Sequence, residues 1–166
     1  MKKPQHYDAL RSHMVKRLGA VVVDGQEADD EVAIRMTKEP DQYLLVGVDK
    51  DLKQIPGWHH NPHKAQTDYV TDFEGYKAFC TQLLTGDRVD NIPGLDKVGP
   101  VKAEKALEDA KTKEELLQAV WKVYQEKEHT IEYLIEQGQL LWLRRYEGEL
   151  WQPDVSLLRP PQRSED

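Results

Sequence analysis

Two short apolar runs constrain this chain more than any other feature. Ala20-Val21-Val22-Val23 and Tyr43–Val48 are aliphatic or β-branched almost throughout. Between them, Glu27 to about Lys38 carries Ala28, Val32 and Met36 at four-residue spacing. Continuous apolar runs of about four to eight residues read as strands buried on both faces, and the four-residue spacing reads as one face of a helix. Strand, helix, strand in that order predicts an α/β fold with a parallel sheet. Asp24-Gly25 marks the turn after the first strand, and Pro40-Asp41 ends the helix. Asp49 and Asp51 then fall just past the carboxyl end of the second strand, where open α/β sheets bind their ligands.

Around this unit the pattern is mostly helical. Residues 7–18 place Leu10, Met14 and Leu18 on one stripe, with Gly19 positioned to end the helix. Residues 56–64 are expected to be a loop and residues 66–71 an edge strand. From Phe73 onward helices are predicted over Phe73–Leu84, Val101–Ala110, Thr112–Glu128 and Thr130–Leu143, with a loop-rich stretch over Thr85–Gly99. A proline-rich tail from Trp151 is expected to lie over the surface or fray.

Composition closes off several classes. The 166 residues suit one domain, or a small domain with an appendage. No apolar run reaches the roughly 18 residues a membrane span requires. Nothing apolar follows Met1-Lys2-Lys3-Pro4-Gln5-His6, so no secretory signal is expected there. The single cysteine, Cys80, favours a reducing compartment. The net charge of −7 argues against a nucleic-acid partner unless the acids are concentrated in one metal site.

The acids are in fact clustered. Glu27-Ala28-Asp29-Asp30 opens the helix between the strands, Asp49-Lys50-Asp51 closes the second strand, and Gly86-Asp87-Arg88-Val89-Asp90-Asn91 opens the loop-rich stretch. Singly, each has an ordinary explanation: acids favour a helix N-terminus, Asp-x-Asp suits a turn, and Asp87 or Asp90 can cap a turn. Together, seven converging carboxylates would repel one another and raise their pKa values unless cations intervene. Hard oxygen ligands suit Mg²⁺ or Mn²⁺. Two such ions about 4 Å apart can activate a water and stabilise the leaving oxygen of a phosphodiester. His59, His60 and His63 lack a nearby fourth ligand for zinc and read as a solvated loop.

The stretch Asp90–Ala103 is the most specific in the chain. Gly94 and Gly99 allow tight turns, and a helix starting near Val101 directs its free N–H groups back into the loop. With Lys97 and Lys102 beside it, this is either a backbone cradle for a DNA phosphate or an ordinary helix–loop–helix turn.

The strings GQEADDEVAI (Gly25–Ile34), VGVDKDLKQI (Val46–Ile55), LLTGDRVDNIPGLDKVGPVKA (Leu83–Ala103) and QLLWLRRYEGELW (Gln139–Trp151) resemble the 5′–3′ exonuclease/flap endonuclease superfamily. That family includes the 5′-nuclease domain of bacterial DNA polymerase I, and the last string is most similar to its bacteriophage branch. The resemblance implies a PIN-like (5′-nuclease) sheet lacking its N-terminal strand, followed by a helix–three-turn–helix subdomain. The corresponding division is a partial catalytic domain over residues 1–72, the DNA-binding subdomain over 73–150 and the tail over 151–166.

By the same resemblance, Glu27, Asp29 and Asp30 are helix-borne metal ligands, Asp49 and Asp51 the strand-end pair, and Asp87 and Asp90 the pair for a second metal. Asp29, Asp30, Asp49 and Asp51 carry the catalysis. Gly94, Lys97, Val98, Gly99 and Lys102 fall in the DNA-holding loop, whose carbonyls also bind K⁺ in the family. The expected activity is two-metal hydrolysis of DNA, or of RNA in hybrids, at 5′ ends or flaps, in a cytoplasm (a host's, if the chain is phage-encoded). The family's first strand and helical arch precede the position equivalent to Tyr7, and Lys2 and Lys3 could be remnants of that arch. The other expectation is therefore a DNA-binding remnant, or one half of a split nuclease completed by another chain.

Overall fold

The computed structural model describes residues 3–158, in the order α1 (Tyr7–Leu18), α2 (Ala28–Lys38), β1 (Leu44–Val46), β2 (Gly57–Asn61), β3 (Gln66–Val70), α3 (Asp72–Thr85), β4 (Gly86–Asp87), β5 (Ile92–Pro93), α4 (Pro100–Leu107), α5 (Lys113–Glu126) and α6 (Ile131–Leu141). A small mixed sheet and six helices make the described chain an α/β protein. Strand β1 pairs with β2 in parallel and β2 with β3 antiparallel; β4 and β5 form a separate two-residue antiparallel ladder.

The helices begin where the sequence supplies caps. The Thr71 hydroxyl accepts the Glu74 N–H at 3.2 Å while the Glu74 carboxylate accepts the Thr71 N–H at 2.8 Å, a reciprocal box opening α3. Thr112 and Thr130 do the same job for α5 and α6 with one bond each. Helices α3 to α6 bury their apolar stripes against one another around Phe79, Leu83, Leu107, Leu116, Val120 and Leu134. Within this core the Tyr124 hydroxyl donates to the Leu83 carbonyl at 2.8 Å. Trp151 is buried in this core with its indole against Gly138, where a Cβ would come within 2.1 Å of the ring. A second, smaller core of Ala33, Met36, Leu45 and Ile55 joins α2 to the sheet, and Leu143 from just after α6 completes it.

Four expectations are corrected. First, Ala20–Val23 is not a buried strand: it has no regular structure, and Val21 is 64% exposed. A strand needs a neighbour, and among the described residues β1 pairs only with β2, so this apolar run joins no ladder there. Second, the strand within Tyr43–Val48 is three residues long and buries only Leu45, because one face and one edge of β1 are uncovered. Third, residues 57–61 are a strand, not a loop. Trp58 packs edge-on against Tyr69 at 5.3 Å, and His60 Nδ1 lies 2.8 Å from the Thr67 hydroxyl, and such cross-strand pairs stabilise a hairpin despite an unpromising composition. That hairpin makes the sheet mixed, where a parallel one was expected; β3 is its edge strand, as expected. Fourth, the tail does not fray at its start: Trp151 and Leu158 are buried.

Helix α1 forms where its periodicity predicts, and Gly19 closes it at φ 71°. Its stripe of Leu10, Met14 and Leu18 is nevertheless exposed along its length. The suggested arch residue Lys2 and the end of the tail, from position 159, lie outside the described residues; Lys3 pairs with Asp8 at 3.6 Å. No helix among the described residues is long and apolar enough to cross a membrane.

Candidate metal centre

Helix periodicity decides which acids of the first cluster face inward. On α2 the buried positions are Asp30, Ala33 and Met36, so the inward stripe begins with a carboxylate. The expected stripe of Ala28, Val32 and Met36 is thus rotated, with Ala28 exposed. Asp30 is answered from far along the chain: the Arg144 N–H donates to its Oδ1 at 3.0 Å, and the Arg144 Nε lies 3.5 Å from its Oδ2. Asp29, one position earlier, is half-buried. Burial pushes its carboxyl above the usual carboxylate value, reinforced by repulsion from Asp49, Asp30 and Asp90. Glu27 is the N-cap residue but makes no side-chain cap bond, which leaves its carboxylate free toward the cleft.

The chain leaves β1 through Gly47-Val48 and enters a tight helical turn at Asp51. The Asp49 carboxylate accepts the Asp51 N–H at 3.1 Å. Asp51 is aimed by an amide relay: Gln82 Nε2 donates to Asp51 Oδ1, Gln54 Nε2 donates to Gln82 Oε1 at 2.6 Å and to the Leu141 carbonyl at 2.7 Å, and Gln54 Oε1 accepts the Leu143 N–H at 3.3 Å. Burial raises the Asp51 carboxyl; Lys50 and the Gln82 bond pull it down while Asp87 and Asp49 push it up, and the net direction is upward.

The third cluster sits on the β4–β5 hairpin. Gly86 takes φ 68°, and a Cβ there would meet the Gly94 nitrogen at 2.2 Å; a Cβ on Gly94 would meet the Thr85 carbonyl at 2.2 Å. Both positions therefore require glycine. The crossing presses Asp87 into the interior, 1% exposed. Its Oδ1 accepts the Val89 N–H at 2.7 Å and its Oδ2 accepts from the Lys50 ammonium. The Lys50 bond, ahead of other causes, holds the Asp87 carboxyl below the usual range.

Oxygens of Asp51, Asp87 and Asp90 all lie within 4.8 Å of one another. A cleft of about 360 Å³ is lined by Glu27, Asp29, Asp30, Asp51, Asp87 and Asp90. Six of the seven expected acids thus share one cavity. Asp49 lines a separate groove beside His59 and Lys53, although its charge still reaches Asp29. The expected rise in pKa holds for Asp29 and Asp51 and reverses for Asp87, because a lysine intrudes among the acids. No zinc set forms around the histidines: His59 Nε2 lies 2.8 Å from the Ile55 carbonyl oxygen, and the group above is the one candidate metal cluster among the described residues. Three hard carboxylates with one buried member suit a divalent cation.

Sequence reasoning missed Lys50, Gln54, Gln82 and Arg144. Lys50 carried a signal, being a cation between two acids. The two glutamines and Arg144 carried none, since their partners lie 28 to 114 positions away.

A second cleft, of about 600 Å³, adjoins the first and shares Asp87 with it. Gly94, Lys97, Val98 and Gly99 line it, with Arg88 and Asn91. Lys97 sits at φ 58° and the Val98 N–H donates to the Leu95 carbonyl at 3.0 Å, so the backbone turns back on itself before α4. Gly99 is the N-cap of α4, Pro100 its first residue, and no side chain caps it. Lys102 is exposed on the first turn of α4 and lies outside this cleft.

The chain is similar to the thermostable DNA polymerase I of Thermus aquaticus, with 30% identity over 130 positions, covering 66% of this chain and 15% of the polymerase. It therefore spans a small part of that relative's length. No protein-family model and no solved structure matches it.

Proposed function

We propose that this chain is the metal-binding and DNA-gripping portion of a 5′ nuclease that hydrolyses DNA phosphodiesters with two divalent cations. The observation that carries the reading is the convergence of Asp51, Asp87 and Asp90 oxygens to within 4.8 Å from two separate turns, beside a glycine-lined cleft that ends at a helix N-terminus. The partial similarity to a DNA polymerase I supports it, since that protein type includes the 5′-nuclease domain the sequence motifs resemble. In this reading residues 1–72 form part of a PIN-like catalytic domain, 73–150 a helix–three-turn–helix subdomain and 151–166 a tail. Asp51, Asp87 and Asp90 hold one Mg²⁺ or Mn²⁺. Glu27, Asp29, Asp30 and Asp49 serve the other, with Asp29, Asp30, Asp49 and Asp51 nearest the reaction. When bound, the cations supply an activated water and neutralise charge on the leaving oxygen.

The chain's own residues do the rest. The Gln54–Gln82 relay aims Asp51, and Arg144 fixes Asp30. Gly94, Lys97, Val98 and Gly99 seat a phosphate of the duplex without reading bases, Lys102 adds charge, and carbonyls of the loop accept K⁺.

The free edge of β1 and the uncovered Ala20–Val23 run favour a second reading within the first: the sheet is completed by a further strand, from elsewhere in the same protein or from another chain.

The direct test is cleavage of 5′-labelled flap DNA in Mg²⁺, with and without an added N-terminal family segment, alongside Mn²⁺ binding by the chain alone. Asp49→Ala with Asp51→Ala should weaken Mn²⁺ binding at least about tenfold and leave salt-sensitive DNA binding intact or improved. Lys97→Ala or Lys102→Ala should weaken DNA binding uniformly across sequences and lower the salt slope by about one. Unchanged Mn²⁺ affinity in the double aspartate variant would end the nuclease reading.

A further inference from the structure

Asp87 is 1% exposed, and an ionised carboxylate with so little water needs a positive partner. That partner is Lys50, whose ammonium bonds Asp87 Oδ2 and lies 3.8 Å from Asp51 Oδ1. Among the described residues no other cation pairs with either carboxylate, Arg144 being taken up by Asp30. The ammonium thus sits against two of the three carboxylates that converge as a candidate cation position. An ammonium and a divalent ion bound to the same carboxylates compete for the same lone pairs, and their mutual repulsion makes each weaken the other's hold. Lys50 is also built to leave: its side chain is 56% exposed and lies on the turn after β1, outside both cores.

We propose that the Lys50 ammonium is the resident cation of this cluster, and that a divalent ion enters the Asp51–Asp87 position by displacing it. The inference rests on the metal-centre reading above and adds to it a named competitor. It makes Lys50 a positioning residue with two states: inserted, holding the acids together in the metal-free chain, and swung out when the cluster is loaded.

The experiment is an Mn²⁺ titration of the full chain by electron paramagnetic resonance, with Lys50→Met, Lys53→Met and Asp87→Asn variants. Lys53 is an exposed neighbour with no carboxylate partner among the described residues, and so reports the general effect of removing a nearby charge. If the ammonium occupies the position in roughly nine molecules of ten, Lys50→Met should bind Mn²⁺ about tenfold more tightly, and Lys53→Met should stay within about twofold of the parent. Equal shifts in the two lysine variants would overturn the proposal. Mn²⁺ affinity unaltered by Asp87→Asn would instead remove the metal centre itself, a separately readable failure.

A second measurement needs no stable variant. In ¹⁵N-lysine spectra of the unaltered chain, Mg²⁺ should move the Lys50 Nζ resonance from a protected to a freely exchanging state and leave Lys53 in place. A Lys50 signal unmoved at Mg²⁺ saturation sinks the displacement.

Discussion

At the scale of single residues, the acidic cluster is oriented by side chains that do not belong to it. Gln82 links Asp51 to Gln54, and through Gln54 to the last carbonyl of α6 and the Leu143 N–H beyond it. Gln82→Leu keeps the volume and removes both bonds, leaving the Gln54 amide short of a partner. Urea unfolding should report a loss of roughly 1–3 kcal/mol, and Mn²⁺ affinity should fall with it because Asp51 is no longer aimed. A stability loss with intact Mn²⁺ binding would mean that Asp51 orients itself. Arg145 is a comparable case on the other side of the same segment. It is half-buried, donates to the Gln54 carbonyl and lies with its guanidinium 4.8 Å from the centre of the Trp142 ring. Burial pushes its guanidinium down to about 10, still charged at neutral pH.

Elements show where the sequence was legible. Helix positions followed from spacing and caps, because a helix closes its hydrogen bonds within itself. Strands did not, because a strand is defined by a neighbour that local sequence does not name. Ala20–Val23 has the composition of a strand and no partner among the described residues, while Trp58–Asn61 has little of the composition and a firm one. The acids of the centre were legible as clusters, and the turn carrying Asp87 was flagged by its glycines. Its supporting bonds were not legible, since they join residues many turns apart. The β4–β5 hairpin allows a prediction of its own. Gly94→Ala forces a Cβ onto the Thr85 carbonyl, which should cost about 1–3 kcal/mol in chemical denaturation. It should also reduce Mn²⁺ and DNA binding together, since Asp87 and the second cleft share that turn. Loss of one without the other would separate the two clefts.

At the scale of the whole molecule, the opposed shifts of the acids set the response to pH. Asp29 and Asp51 have raised carboxyls, mainly from burial. A group raised on folding gives stability that is present below its unfolded value of 3.8 and is lost as pH rises through its folded value. Asp87, lowered chiefly by Lys50, behaves oppositely: its contribution is present above 3.8 and lost as pH falls further. Glu74 and Asp154, also lowered, add to the acid-side loss, weakly because both are exposed. In chelator, Tm should therefore rise as pH is brought down from neutrality toward the carboxylate range, then fall below it. Saturating Mg²⁺ should flatten the neutral side by supplying the missing positive charge. A metal-free Tm that climbs steadily to neutral pH would show that Asp29 and Asp51 carry no such penalty.

The bond from Arg144 to Asp30 spans 114 positions, and that from Leu143 to Gln54 spans 89. A ribosome has therefore released every one of the acids long before the segment that orients them emerges. From the emergence of Asp90 to that of Arg144 the growing polypeptide carries the acids of the cluster without the contacts that orient Asp30 and Asp51.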